Sequence, residues 1–356
     1  MPVCEWCRKP VLEPRGWNGR TALYCADHLI MKGRDPLMVA RTALFDAMEL
    51  QETDVESLIR WPFRQLDDLA GVLVPKRLYY VAAFPGNGKT SFLSACYSKW
   101  VADGFRVTYL PLESDPQETV TRVACAKAGV NPDEALSLRL RIAAANGDPV
   151  AQRQRDDLAV AFRLLLEDKE LWDLFRIEPT MTLTPDSFAT VAKVVQEMES
   201  DILLVDHVDN CEADEGDHAP EIAVSNKLQM LALQISRRVG IPVVLATQLN
   251  STKTHGDRLA HYRPPVMDWL YNKGKKEQVA AVCLGLFRPM RDDIPDDEMD
   301  AAKRGLIPAH RIAKPNRMGV VLMKGRYSGA KKDSVVELAY QHGRLTEDPL
   351  HFLEAA

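Results

Sequence analysis

From Leu66 onward, short apolar runs alternate with stretches whose apolar positions recur at helical spacing, the pattern of a parallel α/β sheet with helices on its faces. The runs LYYVAAF (78–84), VTYLPLE (107–113), ILLVDHV (202–208), IPVVLATQL (241–249) and VAAVCLGLF (279–287) predict strands. Residues 90–102, 116–128, 151–175, 185–199 and 220–239 predict the helices between them. Two late runs, 319–324 and 334–340, have no helix between them and predict an antiparallel edge. Earlier in the chain, Leu37, Val39, Ala40, Ala43, Leu44, Ala47, Met48 and Leu50 fall at helical spacing without glycine or proline, which predicts an exposed amphipathic helix. The first thirty-odd residues lack any such period, and Gly33 and Pro36 punctuate a boundary near residue 34. The chain thus divides into a module over 1–34, a helix within 35–60 and an α/β domain over 61–356.

Composition narrows the class without naming a chemistry. Of 356 residues, 46% are hydrophobic and 27% charged, which is ordinary for a globular chain and argues against disorder. No apolar run reaches the ~18 residues of a membrane span. The start, MPVCEWCRKP, lacks the apolar stretch of a secretory signal, so a cytoplasmic protein is expected. A net charge of -5 makes no global case for nucleic acid, so any such contact must come from local basic loops. Seven cysteines in a reducing compartment read as metal ligands or as ordinary burial. Cys4, Cys7, Cys25 and His28 form C-x2-C-x17-C-x2-H, two ligand pairs that suit a closed tetrahedral structural zinc site. Arg8, Lys9, Arg15, Trp17 and Arg20 leave that module's target open between nucleic acid, a protein partner and a purely structural cap. Cys96, Cys125, Cys211 and Cys283 read as burial. The acidic run DDIPDDEMD (292–300) reads as a solvated loop.

The candidate chemistry sits at the ends of the expected strands. In AAFPGNGKTSFL (82–93), the strand runs into a turn of Pro85, Gly86, Asn87 and Gly88, followed by Lys89, Thr90 and Ser91 opening a helix. This is the order a phosphate loop requires: inward backbone amides, a lysine for the outer phosphates and a hydroxyl for magnesium. Ala83 stands where glycine is usual, which is tolerable if it ends the strand with negative φ. Asp206 ends a strand, placed to hold magnesium opposite Thr90. Glu113 ends another, either as the group that activates a water or as an acid that starts the next helix. Gln248 ends a third with an amide that can bond a terminal phosphate. Two basic segments follow: STKTHGDRLAHYRP (251–264), with Lys253, His255, Arg258, His261 and Arg263, and LYNKGKKEQ (270–278), with Lys273, Lys275 and Lys276 around Gly274. They suit a single-strand backbone, or are solvated loops.

Taken in order, FRQLDDL, AAFPGNGKTSF, LPLES, LLVDH, GIPVVLATQLN, RPPVMDWLYNKGKKEQ and KGRYSG resemble the RecA-like motor domain of the DnaB family of hexameric replicative helicases, over about Leu37 to Leu345. The resemblance implies a RecA-like P-loop fold and ATP hydrolysis with Mg2+. By the same resemblance Lys89 and Thr90 lie on phosphate and metal, Glu113 is the catalytic base, Asp206 binds magnesium and Gln248 senses phosphate. Lys324 and Arg326, in MKGRYSG, match the family's basic finger pair, which reaches the neighbouring subunit's nucleotide; read without the family, they are a basic edge strand. The helix over 37–55 matches the family's linker helix, against packing on its own domain as the alternative. Expected partners are single-stranded and forked DNA, further copies in a ring, a hexamer by family, and replisome proteins. The implied activity is DNA unwinding during replication, with a recombinase or loader lacking unwinding as the alternative. The helical amino-terminal domain usual in the family is not recognisable, which is the pattern of a phage-type or streamlined member.

Overall fold

A computed structural model of the chain describes residues 15–17, 20–22, 58–112, 115–167, 185–206, 232–254, 257–270, 273–326, 330–341 and 344–347. Cys4, Cys7, Cys25 and His28, the helix expected over 37–55, and Glu113 lie outside these residues. The chain divides into two compact units, Met1–Leu58 and Ile59–Ala356. In the first, strands β1 (Arg15–Trp17) and β2 (Arg20–Ala22) pair antiparallel, with Trp17 opposite Arg20.

The second unit is built on strands β3 (Leu78–Ala83), β4 (Val107–Pro111), β5 (Ile202–Asp206), β6 (Val243–Gln248), β7 (Ala280–Phe287), β8 (Arg317–Gly325), β9 (Val335–Gln341) and β10 (Arg344–Glu347). They form an eight-stranded sheet in the order β10-β9-β8-β7-β3-β6-β5-β4. β7, β3, β6, β5 and β4 run parallel, and β8, β9 and β10 extend the sheet antiparallel. The parallel strands read as continuous apolar runs because both faces are covered, and β3, β4, β5 and β7 are buried at every position.

Side chains alternate across the sheet and fill two cores. Tyr79, Val81 and Ala83 face α2 (Lys89–Ala102), whose Phe92 and Trp100 are fully buried. Behind α2 stand α3 (Pro116–Ala128), α4 (Pro132–Leu136), α5 (Arg139–Ala145) and α6 (Pro149–Glu167). Leu78, Tyr80 and Ala82 face Val191 and Val195 of α7 (Pro185–Glu197), together with Ala232 and Ile235 ahead of a π turn at Ser236–Gly240. The short helix α1 (Arg64–Ala70) precedes β3, with Leu66 and Leu69 buried.

Among the described residues most expected elements are present, with several differences; the short helices α1, α4 and α5 were not expected. α6 begins at Pro149 because the Asp148 carboxylate accepts from the amides of Val150 and Ala151, at 2.9 and 3.1 Å. β10 was not expected; it is a four-residue strand whose pairing partner β9 supplies the context that its own pattern lacks. The acidic run over 292–300 is not a loop throughout: Asp296, Asp297 and Glu298 open helix α9 (Asp296–Arg304), where carboxylates favour the positive helix end. α9 belongs to an excursion between β7 and β8 that closes its own small core on Leu259, Ala302 and Ile312.

Candidate nucleotide site

The phosphate loop follows β3 directly. Ala83 is the last residue of the strand, fully buried and paired with Gln248 of β6, and it keeps the negative φ that alanine tolerates. Glycine is needed further on: Gly86 and Gly88 have φ of +75° and +84°. Nothing lies within 4 Å of a Cβ built on Gly86, so the loop is open on that side. Lys89 opens α2 with only 6% of its surface exposed. A buried lysine at a helix start, where the first-turn amides lack partners within the helix, is a donor set that fits an anionic phosphate chain.

The adjoining strand ends carry the other groups. Asp206 ends β5, is buried, and takes a hydrogen bond from the Tyr109 hydroxyl at 3.1 Å. Burial, then the charge and hydrogen bond of Asp206, push the Tyr109 hydroxyl well above its usual pKa, so it stays a neutral donor. Pro111 pairs with Asp206, and the Leu112 amide donates to the Asp206 carbonyl at 2.5 Å. Thr90 and Asp206 offer the hard oxygen donors that magnesium prefers. Gln248 lies beside Ala83 at the same edge. In a parallel sheet this carboxyl edge is where ligands bind.

A cleft of about 860 Å³ opens from the loop, within the usual range of small-molecule sites. Pro85 to Ser91 form one wall, and Lys314, Asn316, Arg317 and Tyr340 form the other. The far wall had no motif to announce it, because the topology brings the end of the β7–β8 excursion and β9 to the loop. The Lys314 ammonium is braced at 3.0 Å by Glu337 and 3.1 Å by Asp292, and its pKa is raised by these partners against the opposing effect of burial.

Residues 257–263, within the basic segment 251–264 expected to meet a single-strand backbone or to be a solvated loop, seat partly against the phosphate loop. The His261 ring stacks on Phe84 with centroids 4.6 Å apart, and its carbonyl accepts from Asn87 Nδ2 and from the Arg288 amide, each at 3.1 Å. Arg288 Nη2 donates to the Gly86 carbonyl at 2.7 Å. Burial, and then the Arg288 charge, lower the His261 pKa, so it is a neutral ring at neutral pH and not a phosphate-binding cation. Neither His261 nor Arg288 carries a sequence signal for this role.

The remaining candidates divide. Lys253 is exposed and donates to the Leu270 carbonyl at 2.8 Å. Arg263 pairs with Asp257 at 3.1 Å, and the Arg258 guanidinium lies across Gly305. Lys273 and Lys275 are in α8 (Lys273–Val279). Lys276 is corrected outright: it is fully buried, its Nζ 2.5 Å from Thr247 Oγ1, and it cannot touch a nucleic-acid backbone from there. Lys324 and Arg326 stand at the end of β8 remote from the cleft. Gly325 pairs with Val282, whereas Gly319 pairs with Phe287 beside the loop, a separation of about 20 Å along the strand.

The sequence model of the family described as "DnaB-like helicase C terminal domain" matches residues 59–341. The fold is similar to "The Structure Of A DnaB-Like Replicative Helicase And Its Interactions With Primase", at TM-score 0.62 and 17% identity, over 87% of this chain and 66% of that one. The chain therefore spans just under two thirds of that relative. It is also similar to a second solved structure, an isolated "ATPase Domain", at TM-score 0.61 and 16% identity, over 88% of this chain and 98% of that one. These likenesses place the sheet and its helices in the RecA-like α/β class. No curated protein matches the chain.

Proposed function

The chain belongs to the DnaB-like helicase C-terminal domain family, and on that premise we propose that it is an ATP-driven, ring-forming helicase that moves on single-stranded DNA. The observation that carries this reading is the split between the cleft and the basic pair. The phosphate loop, Asp206 and Gln248 gather at one edge of the sheet, while Lys324 and Arg326 lie about 20 Å away along β8. Cations so placed serve a nucleotide only on a neighbouring copy, which makes hydrolysis depend on assembly.

ATP with magnesium supplies the phosphoryl group and the charge that clamps it. The loop amides and Lys89 would hold the phosphates, and Thr90 and Asp206 would hold the metal. Tyr109 keeps the Asp206 carboxylate oriented. Glu113 directs and deprotonates the attacking water. Gln248 bonds the terminal phosphate and reports its loss to the segments that follow. Tyr340 and Arg317, on the far wall, offer a ring and a guanidinium to the base. Lys253, Arg258, Arg263, Lys273 and Lys275 are the proposed contacts to the DNA backbone, and a hexamer is the proposed ring. Cys4, Cys7, Cys25 and His28 are proposed to hold a structural zinc.

Strand displacement on a forked duplex tests the reading, comparing wild type with Glu113→Gln. Wild type should unwind with ATP, and the variant should bind DNA and ATP without unwinding. A wild-type protein that binds single strands, hydrolyses ATP and never separates the fork is a loader or recombinase instead. Long filaments in electron micrographs would point the same way.

A further inference from the structure

Lys276 puts an ammonium where packing alone calls for an apolar side chain. It sits in α8, fully buried, with Nζ 2.5 Å from the hydroxyl of the equally buried Thr247. Burying a charge is costly unless hydrogen bonds replace water, and methionine or leucine would fill similar space without that cost. Thr247 directly precedes Gln248, so the two side chains fall on opposite faces of the strand end that meets the phosphate loop at Ala83. The Lys276 bond thus braces the back of the phosphate-sensing position.

The two residues directly after Lys276 meet the basic pair. Lys324 Nζ donates to the Glu277 carbonyl, and Arg326 Nη2 donates to the Gln278 carbonyl at 2.5 Å. These carbonyls close the helix, where its backbone presents negative charge. Cys283 faces both cations: burial pushes its thiol up to about 12, with Lys276 and Lys324 opposing the rise. Before α8, Leu270 bridges Leu249, and its carbonyl receives Lys253. Three consecutive residues of α8, Lys276, Glu277 and Gln278, thus contact Thr247 on one side and Lys324 and Arg326 on the other.

We propose that α8 is the element that couples DNA binding to both nucleotide sites, its own and the neighbour's, and that Lys276 is the positioning residue that ties it to the sensor strand. This rests on the helicase reading above. A strand of DNA held by the loops before α8 shifts the helix. The shift reaches Gln248 through the Lys276–Thr247 bond and reaches Lys324 and Arg326 through the last carbonyls.

The test uses the full chain and oligo-dT, and reads the ratio of DNA-stimulated to unstimulated ATP turnover. Thr247→Val removes the hydroxyl at nearly constant volume, and Thr247→Ser restores it. The valine variant should lose about tenfold in that ratio while serine keeps it. Oligo-dT affinity and its salt dependence should stay at the wild-type level in both. Lys276→Met should behave as the valine variant does. A valine variant with the wild-type ratio overturns the coupling. So does a Lys276→Met protein that loses oligo-dT affinity with a shallower salt dependence, because Lys276 would then be a phosphate contact. If oligo-dT fails to stimulate the wild type, the helicase reading itself falls and takes the coupling with it. The wild-type measurement thus separates the two failures.

Discussion

Gly88 holds φ at +84° while opening α2, and the methyl of Met318 lies 2.6 Å from where a Cβ would stand. The methyl can swing aside, so the backbone sets the cost of a side chain here. Gly88→Ala should lose about 1–2 kcal/mol of stability, read as a lower urea midpoint, and should weaken ATP binding because the loop amides turn away. An unchanged midpoint and ATP affinity would show that the left-handed turn is dispensable. Ala83, two residues before the turn begins, makes no such demand, since it is ordinary strand. His261 carries a pH signature. Its folded pKa lies below the ordinary 6.5, through burial first and the Arg288 charge second. The unfolded chain therefore binds more protons between the folded value and 6.5, and the His261 contribution is complete above that window. It is lost as pH falls through the folded value. His261→Phe keeps a ring on Phe84 and removes the proton, so wild type should lose Tm faster than the variant between about pH 7 and about pH 5. Parallel curves would refute the assignment.

Among the elements, α3 shows how local sequence sets a boundary that the site uses. Asp115 caps the helix by accepting from the Glu118 amide at 2.7 Å, with Pro116 at its first position. The cap stands two residues after Glu113 in the sequence. Asp115→Ala should cost about 1 kcal/mol in urea denaturation, and it should lower turnover with ATP affinity retained. Loss of affinity in place of turnover would detach Glu113 from this cap. α2 and the central strands were legible because periodic burial forced their pattern. β10 and α4 were not, since four or five residues carry too little period to outweigh their context. The expected loop over 292–300 became the start of α9 for a related reason: its carboxylates suit a helix start as well as they suit solvent.

For the molecule as a whole, the decisive quantity is the distance between the cleft and the basic pair. If Arg326 completes a neighbour's site, mixing Arg326→Ala subunits into wild type should depress ATP turnover more than in proportion, because one variant disables an interface it shares. A strictly linear decline would remove the shared site. The amino-terminal module offers a separate measurement. Purified full chain should carry about one zinc, lost on replacing Cys4 and Cys7 by serine, and an unloaded wild type would leave those ligands without their proposed role.

The amino-acid sequence by itself determined the α/β alternation, the antiparallel edge, the phosphate loop, and the strand-end positions of Asp206 and Gln248, because each is encoded within a few consecutive residues by period or by turn chemistry. Only the tertiary structure decided which basic residues are surface and which are core. Lys276 belongs to a lysine-rich segment, yet the helix that carries it buries it against Thr247. It also built the far wall of the cleft and the seat of His261 on the phosphate loop from segments distant in sequence. Long-range contacts of this kind follow from how strands are ordered in the sheet, which no local pattern of residues records.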